Sequence, residues 1–313
     1  MRSKVQPRLI GKTYSDNKEI TLIYRIQSVA LKAIHDYLDC NGLVQLMPVI
    51  LAPITDPLNH PVHEAQIKTG IGQKLQLTRS MIFHKQIAIA RLDVKGIYIM
   101  SPNIRLEIGH EKSDRHLFEF TQVDMELKNA SAGDFMAFID RMLVHVFSVV
   151  KLKCESELDF LGAELELPVT PLKIYWSKSL KRKFGSDWAD IISRRERSPF
   201  WITDFEREFY DREDPEINGR YINYDLFWPY GYGEALSGGE RDFEFFTLER
   251  KIRERNQNPR EFEIYLDLAR QGVLGPSVGG GLGVERLVRF LARCEHIQDI
   301  TLFPRIPGKW VAI

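Results

Sequence analysis

Two stretches, IRLE at Ile104–Glu107 and HLFEFTQVDME at His116–Glu126, decide the fold expected of this chain. Two strands joined by a polar loop would place Arg105, His116 and Phe120 in one cleft. An arginine can donate two parallel hydrogen bonds to a phosphate while an aromatic ring stacks on a base, so this set suits a nucleotide. The same spacing also arises by chance in proteins that bind no nucleotide. The interpretation therefore depends on a second motif.

The second motif is GGGLGVERLV at Gly279–Val288. Glycines let the backbone approach a planar ligand closely, and Arg286, in the first turn of the helix that follows, could reach a phosphate or an adenine ring. A dinucleotide fingerprint would have to open a βαβ unit and be followed by an acidic residue about 20 positions later. The stretch does not meet these conditions. A nucleotide cradle is the better interpretation.

Composition indicates a globular chain without an overall charge. Among its 313 residues, 44% are hydrophobic, and 43 basic residues balance 43 acidic ones. The thiols Cys40, Cys154 and Cys294 are widely separated, which gives no structural zinc framework and fits a reducing compartment. No apolar stretch approaches the roughly 18 residues of a membrane span. We therefore expect a cytoplasmic protein without a membrane partner.

The pattern of elements favours an α+β fold with an antiparallel sheet. A helix is predicted from Asp16 to Asn41, behind a capping box of Asp16 and Glu19 and before Gly42. Pro48 belongs at a sheet edge or a dimer seam. The remaining predicted strands are Lys74–Thr78, Gly96–Met100, Phe118–Leu127, Tyr221–Phe227 and Glu244–Phe246, and further helices are predicted near Asp134–Cys154 and Glu261–Gln271. Residues 1–313 are expected to form one domain, with residues 1–15 as an N-terminal extension.

Together with GLVQLMPVI at Gly42–Ile50, the two motifs resemble, in order, the three signature motifs of class II aminoacyl-tRNA synthetases. The resemblance implies a class II synthetase-like antiparallel sheet flanked by helices, ATP bound in a bent form, and a homodimer formed around Pro48. It also implies catalytic roles for Arg105, on the ATP α-phosphate, and Arg286, as a second contact with ATP. Further ATP contacts are implied for Glu107 and Phe120 at the adenine, His116 at the γ-phosphate, and Gly281 and Gly283.

The segment LTRSMIFHKQ at Leu77–Gln86 is similar to the part of aspartyl-tRNA synthetases that supplies a lysine to the substrate side chain. Lys85 falls on that position. The simpler alternative is a solvent-exposed lysine on a helix that has no role in binding. The resemblance further implies substrate binding by Ser80, Gln122, Asp124 and Arg241, and Mg²⁺ binding by Asp225, Glu234 and Ser237. Carboxylates suit Mg²⁺, and a lysine with an arginine would neutralise an aspartate carboxylate. Aspartate is the expected substrate, with asparagine close behind.

Two positions leave alternatives open. Asp56, in TDPLNHP at Thr55–Pro61, is a candidate to hold the substrate amine, but a carboxylate that caps a turn is the simpler interpretation. The family usually carries a PPH-type segment before the glycine motif, whereas this chain has Gly275–Ser277 there. A histidine contact of the family is therefore expected to be missing.

The choice of enzyme rests on what precedes the first helix. Aspartyl- and asparaginyl-tRNA synthetases carry an N-terminal anticodon-binding barrel, and the 15 residues before Asp16 are too few for a five-stranded barrel. The resemblance is then to the archaeal type of ammonia-dependent asparagine synthetase, particularly in Thr55–Pro61, Ser80–Gln86 and Gly233–Arg241. The expected enzyme is an aspartate–ammonia ligase (AMP-forming) that makes asparagine through a β-aspartyl-adenylate. Aspartate, ATP and ammonia are the expected partners, and tRNA is not.

Two other functions stay open. An aminoacyl transferase paralogue would load its amino acid onto tRNA or a protein and would respond to that acceptor. A non-catalytic module would only sense an amino acid or a nucleotide. The presence of Arg105, Glu107, Glu234 and Arg286 disfavours the sensor, because a sensor does not need a full set of phosphate and metal ligands.

Overall fold

A computed structural model describes residues 17–206 and 208–309, and it places a long mixed sheet at the centre of the fold. The strands within these residues are β1 Leu43–Leu46, β2 Leu51–Ala52, β3 Gln66–Lys68, β4 Lys74–Leu77, β5 Gly96–Ile104, β6 Glu119–Lys128, β7 Lys173–Trp176, β8 Phe200–Thr203, β9 Asn223–Trp228, β10 Gly233–Glu240 and β11 Ser277–Gly283. Eight of these described strands form the large sheet, in the order β1-β5-β6-β11-β10-β9-β8-β7, and β2, β4 and β3 form a separate three-stranded sheet. The helices are α1 Asn17–Cys40, α2 Ile82–Arg91, α3 Ala132–Lys153, α4 Glu155–Leu161, α5 Ser177–Phe184, α6 Trp188–Arg195, α7 Phe245–Glu254, α8 Glu263–Arg270 and α9 Val284–Leu291.

The interior of the large sheet is antiparallel, from β5 through β6, β11, β10 and β9 to β8. Only the two edge pairs, β1 with β5 and β7 with β8, are parallel. Helices flank this sheet, and α1, α3 and α9 share one hydrophobic core with its strands. The predicted α+β architecture, an antiparallel sheet flanked by helices, is confirmed.

Strand β6 shows how the sheet divides core from site. Successive side chains of a strand point to opposite faces. Val123 and Met125 lie in the main core with residues of α1 and α3, whereas Gln122, Asp124 and Glu126 occupy the other face. Since two of these three polar side chains are almost fully buried, the second face of the sheet must enclose a polar site.

Most predicted elements are confirmed, with one exception. The long first helix is observed at Asn17–Cys40, and Gly42 follows it with φ +78°; Asp16, half of the predicted capping box, lies outside the described residues. The predicted strand at Glu244–Phe246 is wrong, because helix α7 begins at Phe245. Leu248 and Ile252 of that helix are buried four residues apart, while Phe246 is 81% exposed. The aromatic pair therefore opens an amphipathic helix rather than lying in a sheet.

Strand β1 forms one edge of the large sheet, and Pro48 lies two residues beyond its last residue, Leu46. The predicted edge position is thus confirmed, since a proline has no N–H to donate to a neighbouring strand. Within the described part of the chain, no helix combines the length and the apolar character that crossing a bilayer requires.

Candidate active site

Two adjoining cavities lie on the polar face of the sheet. The larger has a volume of about 410 Å³ and is lined by Asp56, Ser80, Lys85, Asp124, Asp225, Ser237 and Arg241 among others. The smaller, of about 50 Å³, is lined by Glu107, His116, Phe120, Gly283 and Arg286 among others. Arg105, Gln122, Glu234 and Gly281 belong to both. Any ligand that extends from one cavity into the other must therefore pass Arg105.

The glycines of β11 make room for the polar side chains of β6. Gly279 and Gly281 lie directly opposite Glu126 and Asp124 in the antiparallel pairing. A Cβ on Gly279 would collide with the Glu126 carboxylate, and one on Gly281 would lie 2.9 Å from both Asp124 Oδ1 and Gln122 Nε2. The glycine motif was predicted to admit a nucleotide. In this structure the motif first lets three polar side chains of β6 lie against glycine backbone.

A network of buried charges forms one wall of the larger cavity. Lys85 Nζ lies 2.9 Å from Asp124 Oδ1 and 3.6 Å from Glu126 Oε2. Arg241 donates from Nε and Nη2 to the two oxygens of Glu126, at 3.1 and 3.3 Å, and its Nη1 lies 3.5 Å from Asp211 Oδ1. All five side chains are at most 4% exposed. The simpler alternative for Lys85, a solvent-exposed lysine on a helix, is therefore excluded.

The carboxylates of this network stabilise the charged form of Arg241. Burial alone would lower the pKa of Arg241, but Glu126 and Asp211 raise it above its ordinary value. Asp124 Oδ2 is buried and accepts no hydrogen bond from the described residues. Three carboxylates thus face two cations, and the surplus negative charge suits a ligand that brings N–H donors or positive charge.

Asp56 and Ser80 line the same cavity, close to helix α2. Asp56 is 4% exposed. Its Oδ2 accepts from the Tyr210 hydroxyl at 2.9 Å, and its Oδ1 accepts from the Leu58 amide at 3.0 Å. Ser80 Oγ accepts from the Ile82 amide at the start of α2, at 3.2 Å. Asp56 therefore caps a turn, as the simpler interpretation held, and it also faces the cavity.

A β-bulge brings the predicted Mg²⁺ ligands together. Glu234 and Ser237 are three residues apart, so they would point to opposite faces of a regular strand. In β10, Glu234 pairs with Phe227 and Leu236 pairs with the adjacent Leu226, which leaves Ala235 as an extra residue. Glu234 and Ser237 consequently line the same cavity, and Ser237 lies opposite Asp225. Two carboxylates and a hydroxyl are oxygen donors that fit a hard cation such as Mg²⁺.

The nucleotide side of the site is held by two arginines. Arg105 Nε donates to the Arg79 carbonyl at 2.9 Å, and its guanidinium lies 5.3 Å from the centre of the Phe120 ring. Arg286 Nη1 donates to Glu234 Oε1 at 3.0 Å and to the Glu234 carbonyl at 3.2 Å. The predicted ATP contacts are therefore close together and already bonded to protein groups.

Glu107 and His116 lie in a cluster with two further histidines. Glu107 Oε1 is 3.1 Å from His60 Nε2, and its Oε2 is 3.9 Å from His110 Nε2 and 3.8 Å from His116 Nε2. Burial would raise the pKa of Glu107, but the His60 hydrogen bond and the charges of His116 and Arg105 lower it to about 2. Burial, with Arg286 nearby, lowers the pKa of His116 to about 4. At neutral pH, Glu107 is thus ionised and His116 is neutral.

Sequence reasoning missed three acidic residues that organise the site. Glu126 and Asp211 bind Arg241, and Glu285 accepts from the Thr121 amide with both oxygens at 3.0 Å. Burial raises the pKa of Glu285 to about 7. Glu126 could have been found, because it lies two residues after Asp124 and therefore on the same strand face. Asp211 could not, since it is distant in sequence and lies outside the motifs.

Comparison with known proteins gives one consistent result. A family model described as class II tRNA synthetases (D, K and N) matches residues 11–307. The aspartate–tRNA(Asp/Asn) ligase of Methanopyrus kandleri is 30% identical over 309 residues, which are 92% of this chain and 68% of that protein. The asparagine–tRNA ligase of Pyrococcus abyssi is 26% identical over 310 residues, covering 93% and 70% of the two chains. The asparaginyl-tRNA synthetase of Pyrococcus horikoshii, solved with asparaginyl-adenylate, is 23% identical, with a TM-score of 0.83 over 93% of this chain and 70% of that one.

These similarities overturn part of the functional prediction. An aspartate–ammonia ligase for asparagine biosynthesis and the expected lack of a tRNA partner are both wrong, because the relatives that match almost the whole chain are tRNA ligases. The error has a physical origin. The motifs were assigned to ATP and an amino acid, which both kinds of enzyme require. Motif residues alone therefore do not distinguish ammonia from tRNA.

Proposed function

Because the chain belongs to the class II tRNA synthetases of the D, K and N group, we propose that it activates aspartate with ATP and transfers the aspartyl group to tRNA. The observation that carries the proposal is the wall shared by the two cavities. Arg105 lies between a cavity lined by Phe120 and Arg286 and one lined by Lys85 and Arg241. A mixed anhydride of an amino acid and AMP would occupy both, with its phosphate at Arg105.

The larger cavity supports an acidic amino acid as the substrate. Lys85 and Arg241 are the cations of its wall, and both are paired with carboxylates of the protein. An aspartate side-chain carboxylate would bind by replacing one of these partners. Acceptor oxygens of the same cavity would bind the substrate ammonium group, and the Asp56 carboxylate and the Gln122 side-chain carbonyl are candidates because both residues line it. Charge of both signs within one cavity of about 410 Å³ is what a small zwitterionic substrate requires.

Activation would form one bond and break one. An α-carboxylate oxygen of aspartate attacks the α-phosphorus of ATP in line, the P–O bond to the β-phosphate breaks, and pyrophosphate leaves. Arg105 would neutralise the charge that develops on the α-phosphate, and Arg286 would hold the nucleotide once it exchanges Glu234 for the ligand. Catalysis in this scheme is positioning and charge neutralisation, and it requires no protein nucleophile.

Asp225, Glu234 and Ser237 would hold Mg²⁺, and the ion would supply charge neutralisation at the phosphates. Transfer would then proceed by attack of a ribose hydroxyl at the 3′ end of tRNA on the aspartyl carbonyl. The new ester bond replaces the anhydride bond, AMP leaves, and the proton of the hydroxyl passes to the departing phosphate or to solvent.

Asparagine is the second candidate substrate, and a specific observation favours it. Asp124 Oδ2 is buried and accepts no hydrogen bond from the described residues. A side-chain amide would donate to that oxygen, whereas an aspartate carboxylate has no N–H to offer. Asparagine would therefore donate a hydrogen bond to Asp124 and aspartate would not. The amino acid that supports faster pyrophosphate exchange decides between them.

The test is ATP–pyrophosphate exchange with aspartate, asparagine or lysine supplied separately, with Mg²⁺ and without tRNA. Aspartate is expected to support exchange best. Arg105→Ala should reduce the rate by about 100-fold or more, and Arg260→Ala, which removes an exposed arginine of no assigned role, should not. If the Arg105 variant exchanged pyrophosphate as fast as the wild type, the assigned site would be wrong. If asparagine supported faster exchange than aspartate, asparagine would be the substrate.

Transfer is tested separately, by incubating the protein with ¹⁴C-labelled aspartate and total tRNA. The proposal expects ATP-dependent label on tRNA that is stable in acid and released by mild base, as an ester is. If exchange proceeds and no label reaches tRNA, the proposed acceptor is wrong and the activation step stands. Exchange with none of the three amino acids would contradict the activation step itself.

A further inference from the structure

The cluster around Glu107 has the composition of a transition-metal site. One carboxylate oxygen of Glu107 and one ring nitrogen each of His110 and His116 lie within 4.8 Å of one another. His60 reaches the same carboxylate from the other side, at 3.1 Å. Glu107 is 8% exposed, whereas the His110 side chain is 36% exposed. The cluster is thus anchored in the protein and open to solvent on one side.

We propose that Glu107, His110 and His116 bind a divalent transition-metal ion such as Zn²⁺, and that this ion and ATP exclude each other. Oε2 of Glu107 lies 3.9 and 3.8 Å from the two imidazole nitrogens. Both distances are too long for hydrogen bonds. Ligands about 2.0–2.1 Å from a shared zinc ion lie slightly closer together than this, so small side-chain movements would complete the coordination.

The hydrogen bonding of His116 fits coordination through Nε2. The hydroxyl of Ser113 is hydrogen-bonded to Nδ1 of His116, which leaves Nε2 directed at Glu107. A partner on the second ring nitrogen is the usual way in which a protein fixes a metal-binding imidazole. The rings of His110 and His116 are stacked, with centroids 4.0 Å apart and planes at 23°, so one ring must turn before both can direct Nε2 at one ion. The His110 side chain, which is 36% exposed, has room for that rotation.

The types of ligand define which ion could bind. Two imidazoles and one carboxylate suit zinc, cobalt or nickel better than magnesium. Arg115 and Arg286 line the same cavity and oppose any cation, so binding is expected to be moderate and reversible.

Exclusion of ATP follows from the shared ligands, and this part rests on the proposed function. Glu107 and His116 are the groups assigned to adenine and the γ-phosphate, and neither can bind a metal ion and its nucleotide group in the same position. His110 and His60 have no role in that assignment. A metal ion at the cluster would therefore inhibit adenylate formation by competing with ATP.

Binding is tested without any activity, by titrating the metal-free protein with Co²⁺ and recording its visible absorption. We expect a saturable d–d band without the near-ultraviolet absorption of a cobalt thiolate, which would instead report the exposed Cys40. His110→Ala should weaken binding by at least about tenfold. His145→Ala, a histidine on α3 outside the cluster, should bind as the wild type does. Equal affinity of the two variants would overturn the site, as would a thiolate spectrum.

Competition is tested in two ways. Adenosine, which lacks the phosphates that would chelate Co²⁺ in solution, should lower the d–d band because it competes for Glu107; this measurement needs no turnover and decides the matter even if the proposed reaction fails. In pyrophosphate exchange, Zn²⁺ should raise the apparent KM for ATP severalfold in the wild type and much less in His110→Ala, each compared with the same protein without zinc. Zinc inhibition that is equal in both proteins, or Co²⁺ that stays bound at saturating adenosine, would overturn the mutual exclusion.

Discussion

Arg286 and Glu234 are bonded to each other at 3.0 Å, although one is assigned to ATP and the other to Mg²⁺. The pair lies beside a cavity of only about 50 Å³, too small for a nucleotide. Binding of ATP must therefore replace this ion pair with contacts to phosphate and metal. The side chain of Glu234 is 41% exposed, so the exchange costs little desolvation.

The first prediction concerns Glu234→Gln, which keeps the shape of the side chain and removes its charge. The Mg²⁺ concentration that gives half-maximal pyrophosphate exchange should rise severalfold, because a metal-binding carboxylate is lost. The matched control is Glu249→Gln on α7, where the carboxylate pairs with Arg253 at the surface. An unchanged Mg²⁺ dependence would remove Glu234 from the metal site.

The second prediction concerns the buried network. Arg241→Met removes the arginine that binds Glu126 and Asp211, and breaking a buried ion pair typically costs about 3–5 kcal/mol. Urea denaturation should show a loss of that size in the free energy of unfolding. Adding Glu126→Gln should restore part of it, because one of the stranded charges is removed. Additive losses in the double variant would mean that the two side chains do not stabilise each other.

The third prediction concerns pH. Burial raises the pKa of Glu285 from 4.5 to about 7, so between these pH values the folded state holds a proton that the unfolded state has lost. The stability due to this group is fully present below pH 4.5 and falls as the pH rises to about 7, by up to about 3 kcal/mol. Glu285→Gln should remove that decline, measured as the difference in unfolding free energy from wild type across pH 5–8. A difference independent of pH would refute the raised pKa.

The fourth prediction compares two glycines. Gly279→Ala should destabilise the protein severely, because its Cβ would meet the Glu126 carboxylate and the Met125 carbonyl. Gly275→Ala meets nothing within 4 Å and should change the free energy of unfolding by less than about 1 kcal/mol. Thermal unfolding of both variants gives the comparison. Similar melting temperatures would show that the sheet accommodates a side chain at Gly279.

The fifth prediction concerns the proposed homodimer. Met47 is 83% exposed beside the edge strand β1, and Val44, Ile50 and Leu51 nearby are also exposed. If this segment is the seam, Met47→Asp should shift the protein towards the monomer in sedimentation velocity. Ile71→Asp replaces an 89% exposed residue elsewhere and should have no effect. If both variants sedimented with the mass of the wild type, the dimer interface would lie elsewhere or the protein would not form a dimer.

The sequence carried enough information for the architecture and for half of the site. The period of α1 and the alternation in β6 are local patterns, which propensity and burial specify directly. Lys85, Arg105 and Arg286 were found because each lies in a recognisable segment. All three line the two cavities, and their roles in catalysis and binding stay predictions.

The remainder depends on contacts between distant segments. Asp211 contacts Arg241 because a single antiparallel backbone pairing brings the two residues together. No local pattern in the sequence predicts that pairing. The bulge at Ala235 is equally invisible in GEALSGGE, yet it decides which way Glu234 points. The acceptor of the activated amino acid was mistaken for a different reason, because it was inferred from the short segment before Asp16 and not from residues of the site.

The bare backbone of β11 has a consequence for selectivity. Side chains packed against other side chains can change rotamer together, but Asp124 and Glu126 rest against glycine main chain, which has no rotamers to change. The shape of the amino-acid pocket is consequently set before any ligand arrives. An attempt to redirect the enzyme to a longer substrate should therefore begin on β9 or α2, because β11 offers no side chain to shorten.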